Sequence, residues 1–142
     1  MTDLHASVRT LARLARLLEW ASGDLSLPQY RVLATVSEGD ERASRLAERL
    51  ALARPTITAA VDGLVDRGLL TRSEVAGDRR AVRLTITPAG RKALRSAEEA
   101  MAERLAPLFD RLDDRSRALA ALGDLQTAID QALEERRATA AR

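Results

Sequence analysis

Between Arg42 and Thr87 the spacing of apolar residues changes from a helical to a two-residue period, and the order of those changes admits very few folds. Residues 43–50 set Leu46, Ala47 and Leu50 on one side of a short helix. Residues 54–67 set Ile57, Val61, Leu64 and Val65 at helical spacing, with Pro55 in the first turn and Gly68 as the stop. A break at Ala51–Ala53 separates the two helices. From Leu69 the pattern becomes that of strands, Leu69–Glu74 and Ala81–Thr87, the second alternating Val82, Leu84 and Ile86 with Arg83 and Thr85. The polar run Ala76-Gly77-Asp78-Arg79-Arg80 is expected to be the loop between them.

The flanking segments read as longer helices. Residues 3–22 repeat Leu4, Val8, Leu11, Ala15 and Leu18 at four-three spacing, widened by Leu14 and Leu17, and Gly23 and Asp24 end the helix. Ser26-Leu27-Pro28-Gln29 carries a capping box and opens a second helix with Leu33 and Val36 inward, closed by Ser37-Glu38-Gly39-Asp40. Thr87 as N-cap and Pro88 at N1 start a fifth helix to about Arg111, striped by Leu94, Met101, Leu105, Leu108 and Leu112 and kinked or ended by Pro107. Residues 114–137 form a sixth, with Leu119, Leu122, Leu125, Ile129 and Leu133, followed by a frayed Ala138–Arg142. The expected fold class is therefore mainly α with a small β-wing: a winged helix-turn-helix between terminal helices. Residues 1–142 read as one domain, with the winged lobe over 24–90.

Charge singles out the same middle segment. Residues 41–91 hold ten arginines against six acids, a net +4, while the thirds before and after it each carry −1. A localised basic patch is the electrostatic footprint of a nucleic-acid binder, which a whole-chain net of +2 would not indicate. With no cysteine there is no disulfide, thiolate catalysis or cysteine-ligated zinc, and His5 alone makes no multi-histidine metal site. No cofactor is expected. No apolar run approaches the roughly 20 residues of a membrane span, and the N-terminus lacks the order of a signal peptide, so a cytoplasmic protein is expected. Gly-rich phosphate loops, Ser-His-Asp sets and HExxH motifs are missing, which argues against an enzyme.

The first turns of a helix in the major groove reach base edges. On the 54–67 helix, Arg54, Pro55, Thr56, Thr58 and Ala59 lie early and away from the buried stripe. Arg54 can donate two hydrogen bonds to a guanine edge, Thr56 can bond a base or phosphate, and Pro55 and Ala59 offer apolar contact to a thymine methyl. Ser44 and Arg45 are placed for phosphates, and Arg79 for a minor groove. The competing reading is that these are ordinary solvated side chains.

The segments LPQYRVLATV, RLAERLALARPTITAAVDGLVDRGLL and GDRRAVRLTITPAGRKAL resemble the MarR family of bacterial transcription regulators, in motif from Leu25 to about Leu94 and in helix order throughout. The most specific piece is Asp78-Arg79-Arg80 followed by Leu84-Thr85 and Thr87-Pro88-Ala89-Gly90. The resemblance implies a homodimer interlocked through residues 1–23 and 91–137, a palindromic double-stranded DNA operator, usually repression, and an ion pair between Asp62 and Arg80. Ala53 stands where many relatives have a capping residue, and Ala59 where some carry a base-reading arginine. The wide terminal stripes independently call for a partner copy; a monomer with a self-contained bundle is the alternative.

The resemblance also implies a small amphipathic or phenolic effector. Trp20 and Tyr30 would flank its pocket, with Leu17 and Leu33 as walls and Arg16 at the mouth. Against that stands simple packing of the two aromatics at a helix junction. The rival to a DNA-binding regulator is a winged-helix architectural or protein-interaction module.

Overall fold

The computed structural model describes residues 3–39 and 41–140. Asp40, expected to help close the second helix, lies outside the described residues, as do Met1, Thr2, Ala141 and Arg142. The elements run α1 (Leu4–Ala21), α2 (Leu27–Ser37), β1 (Glu41–Arg42), α3 (Ala43–Leu50), α4 (Arg54–Asp66), β2 (Leu70–Val75), β3 (Asp78–Ile86), α5 (Pro88–Phe109) and α6 (Arg115–Ala140). The chain groups into two compact units, Met1–Arg104 and Leu105–Arg142, divided within α5.

In the first unit, each helix starts and stops where local chemistry directs it. The Ser26 hydroxyl accepts from the Gln29 N–H, and the Gln29 side chain accepts from the Ser26 N–H, completing the expected capping box. The Ser22 hydroxyl donates to the Leu25 carbonyl at 2.6 Å and closes the turn after α1. At the end of α4 the Gly68 N–H bonds the Val65 carbonyl and the Leu69 N–H bonds the Leu64 carbonyl, both at 2.9 Å. This Schellman arrangement needs a left-handed residue, and Gly68 supplies φ 70°. The chain thereby reverses from α4 directly into β2.

The core lies among α2, α3, α4, the sheet and the first part of α5. Leu33, Leu46, Leu64 and Leu84 are fully buried, with Val32, Val36, Ile57, Val61 and Leu70 around them and Leu94, Ala97 and Met101 from α5. Aliphatic burial of this kind is the main stabilising contribution, about 1.5–3 kcal/mol per side chain.

The sheet is antiparallel with order β1-β3-β2. Its edge strand β1, pairing Glu41 with Leu84 and Arg42 with Arg83, was not expected: two residues carry no periodic signal, and they are strand only because β3 offers them a ladder. The expected five-residue loop is also corrected. Val75 is buried and pairs with Asp78, so only Ala76 and Gly77 form the turn, Gly77 at φ 82°. The ladder then steps from Val75↔Asp78 to Glu74↔Val82, leaving Arg79, Arg80 and Ala81 of β3 without partner positions on β2. That is a β-bulge, which bends the strand and re-aims its side chains.

The second unit comprises the end of α5, a turn and α6. Pro107 lies in the last turn of α5, which continues to Phe109. Asp114 caps α6 by accepting from the Arg117 N–H at 2.8 Å. The helix extends to Ala140, beyond the expected end at 137. Among its described residues none is buried: Leu119, Leu122, Leu125 and Ile129 all stand exposed. Leu4, Val8 and Leu11 of α1 do too.

Candidate nucleic-acid interface

The turn between α3 and α4 sets the angle of the whole site. Ala51 adopts the left-handed conformation, φ 50°, and its N–H bonds back to Ala47 and Glu48. For a residue with a Cβ that conformation costs about 1 kcal/mol. Leu52, half-buried against the core, and the extended Ala53 then lead into α4. Two arginines tie this region to its neighbours: Arg31 of α2 donates to the Leu50 carbonyl at the end of α3, and Arg49 pairs with Glu38.

Ala53, as N-cap, has no side chain to accept from the first turn of α4. The first intrahelical donor is the Ile57 N–H, bonded to the Ala53 carbonyl at 3.1 Å. The Arg54 and Thr56 N–H groups therefore keep their hydrogen-bonding capacity at the positive end of a 13-residue helix, and Pro55 removes the donor between them. A helix end in that condition favours an anion.

Around it the expected reading residues are brought together. Arg54, Pro55, Thr56, Thr58 and Ala59 are all exposed, as are Ser44 and Arg45 at the start of α3. Ala43, Ser44, Ala47, Arg54, Ile57 and Thr58 line a notch of about 240 Å³ between the two helices. Thr58 also bonds within its own helix. Its hydroxyl donates to the Arg54 carbonyl at 3.0 Å, so its proton is used within the helix. Arg79 is exposed in the bulge of the wing.

The implied ion pair is corrected. Asp62 binds Arg72 of β2, not Arg80. The reason lies in the register. Because α4 reverses at Gly68, β2 runs back beside it and presents Arg72, opposite Leu84, to Asp62. Arg80 sits in the bulge about three β2 residues nearer the tip, roughly 10 Å farther along at strand rise.

The expected effector residues separate. Leu33 is a fully buried core side chain and is no wall of an open site. Tyr30 packs against the core; burial, with Glu98 adding to it, raises its phenol pKa above the usual value near 10. Leu17 is half-buried on α1. Arg16 and Trp20 do meet: the guanidinium lies 5.7 Å from the ring centroid, and Trp20 is 70% exposed. Together with Ala12, Ala15, Glu19 and Leu27 they line an open groove of about 730 Å³. Ala12, Ala15, Glu19 and Leu27 are the groove residues that sequence reasoning missed.

Residues 23–81 match the model of the MarR family. The chain is 31% identical over 134 residues to the uncharacterised HTH-type transcriptional regulator YpoP of Bacillus subtilis (strain 168), covering 92% of this chain and 94% of that one. Among solved structures it is similar to the transcriptional repressor CouR bound to a 23-mer DNA duplex, with 27% identity, a TM-score of 0.76 and coverage of 89% and 91% of the two chains. It shares the fold of BpsR of Bordetella bronchiseptica, the subject of a study of DNA-binding regulation by 6-hydroxynicotinic acid, at 21% identity and a TM-score of 0.71, covering 90% and 99%.

Proposed function

The chain belongs to the MarR family of DNA-binding transcriptional regulators, and from that premise we propose that it acts as a homodimeric repressor of an approximately palindromic operator. The observation carrying the contact assignment is the uncapped start of α4, where exposed Arg54 and Thr56 stand beside unsatisfied backbone donors. In this reading α4 enters the major groove, Ser44 and Arg45 hold phosphates, and Arg79 reaches the minor groove. CouR, a repressor with the same fold, has been seen on duplex DNA, which supports the placement.

A second copy covers the apolar faces that α1 and α6 leave open, Leu4 alone being 76% exposed. In this proposal α1, α5 and α6 are the dimerisation helices. Two recognition helices related by a twofold axis require half-sites about one turn, roughly 34 Å, apart. Sedimentation at micromolar concentration is expected to give a dimer, and a monomer there would refute the symmetric operator.

Selection from a randomised duplex pool tests the central reading. The wild type should enrich an inverted repeat and lose affinity steeply as salt rises. On that duplex, Arg54→Ala is expected to weaken binding by about 1–3 kcal/mol and to relax preference at one base pair in each half-site. Arg79→Ala should weaken all sequences more evenly and flatten the salt dependence by about one unit of slope per wing engaged. Wild-type behaviour from both variants in a gel-shift assay would remove this surface from consideration.

The groove at Arg16 and Trp20 supports a small amphipathic or phenolic effector. BpsR, of the same fold, is the subject of regulation by 6-hydroxynicotinic acid. A ligand preferring a lobe spacing that mismatches the operator would release the protein by population shift. Trp20 is the chain's only tryptophan, so titration of aromatic acids should change its fluorescence and raise the apparent Kd for DNA together. Fluorescence changes that leave DNA binding untouched would exclude the effector role.

A further inference from the structure

The far end of α4 meets the segment joining α1 to α2 through two contacts four residues apart. Arg67, the C-cap residue of α4, donates from its guanidinium to the Asp24 carbonyl at 2.9 Å. One turn earlier, Gly63 lies against the Gln29 side chain: a Cβ there would stand 2.8 Å from Nε2 of Gln29. The backbone joins the two contacts, since the Arg67 N–H bonds the Gly63 carbonyl at 3.2 Å. Gln29 is itself engaged, because its Oε1 accepts the Ser26 N–H in the cap of α2. The turn that receives α4 is firmly built. Leu25 is buried in the core, and the buried Ser22 hydroxyl stands 2.8 Å from the Glu19 carbonyl and 2.6 Å from that of Leu25. Trp20 before this turn and Leu27 after it both line the open groove. One short segment therefore joins two groove-lining residues and carries the seat of α4.

We propose that Arg67 and Gln29 are positioning residues for DNA binding: they seat α4 on the α1–α2 turn and link the direction of Arg54 to the shape of the groove at Trp20. The Arg67 hydrogen bond is exposed and contributes little to stability. Leverage gives it its effect. From Arg67 back to Arg54 the helix is about 20 Å long, so a tilt of about 5° at the seat moves Arg54 by about 2 Å. A hydrogen bond to a base edge does not survive a displacement of that size. The buried residues Ile57, Val61 and Leu64 decide which face of α4 turns inward, and the seat decides its tilt. Coupling of this kind is reciprocal, so docking of α4 on DNA alters the turn, and Trp20 reports it. The inference rests on the DNA-contact surface proposed above and needs no effector.

The test uses the duplex enriched by the wild-type protein, labelled with fluorescein and titrated by anisotropy at several salt concentrations. Arg67→Ala is expected to weaken binding about 3- to 10-fold. The slope of log Kd against log salt should stay unchanged, because no phosphate contact is lost. Arg67→Lys keeps a donor for the Asp24 carbonyl and should recover most of the loss. A slope lowered by about one unit in Arg67→Ala would make Arg67 a phosphate contact and overturn the proposal. Gly63→Ala and Gln29→Ala should each weaken binding, and the double variant should be no weaker than the worse single one, because both break the same contact. Trp20, the only tryptophan, supplies a readout that a purely structural role would not move. Saturating unlabelled duplex should change its quenching by acrylamide in the wild type, and Arg67→Ala should lose most of that change. Thermal melts by circular dichroism confirm that each variant is folded. Unchanged affinity in Arg67→Ala, additive losses at positions 63 and 29, or wild-type quenching that ignores DNA overturns the inference. A wild type that enriches no duplex overturns the proposed DNA surface and the inference with it, a failure distinct from one confined to the variants.

Discussion

Gly90→Ala will destabilise the protein by about 3 kcal/mol, at the upper end of overpacking substitutions, and lower its Tm by about 10 °C. Gly90 lies in the first turn of α5, and its backbone needs no unusual conformation. What it needs is room. A Cβ there would stand 2.1 Å from the carbonyl oxygen of Leu69 and 2.8 Å from Cγ1 of Ile86. The Leu69 carbonyl cannot move away freely, because it accepts the Thr87 N–H at 3.1 Å. Thr87 is held in turn: its hydroxyl donates to the Gly68 carbonyl at 2.7 Å and accepts from the Gly90 N–H at 3.0 Å. The end of α4, the base of the wing and the start of α5 therefore meet at one point, and an added methyl strains all three. Gly68→Ala provides the contrast. Nothing lies within 4 Å of a Cβ there, so its cost is conformational alone, about 1 kcal/mol. Equal melting temperatures for the two variants would contradict the close approach at Gly90.

Leu64→Ala should cost about 2–5 kcal/mol, read as a lower urea midpoint with an unchanged slope. Leu64 is fully buried on the inner face of α4 and belongs to the core that includes α2 and the sheet. Truncation removes apolar contacts and leaves a cavity that a closely packed interior fills only in part. The outer face, with Arg54 and Thr56, is left chemically intact. Affinity per folded molecule, measured well below the melting temperature, should therefore stay close to wild type. A large affinity loss in a fully folded Leu64→Ala protein would show that the seat of α4 tunes recognition directly.

The two central helices were legible because their signals were local and agreed with one another. Ile57, Val61 and Leu64 fixed the inner face, Pro55 marked the first turn, and Gly68 marked the stop that the Schellman bonds then occupy. The exposed face of α4 followed from the same periodicity. Other features depended on pairing between distant segments. β1 exists through the ladder that β3 extends to it, and the partner of Asp62 depends on register, which spacing along the chain does not encode. Leu33 shows a third kind of ambiguity: an apolar residue on α2 has the same signature whether it lines a pocket or fills a core, and full burial decided for the core.

The unpaired step in β3 also bears on how such a protein diversifies. In a regular ladder, shifting a strand by one residue turns every side chain to the opposite face. Here Val75↔Asp78 and Glu74↔Val82 bracket Arg79–Ala81 in the ladder, and Leu84 and Ile86 are buried in the core beyond it. Substitution within these three positions, and even a change in their number, can proceed without rewriting the fold. On the wing contacts proposed above, duplicated copies of the gene can drift toward new operators while inheriting an unaltered scaffold.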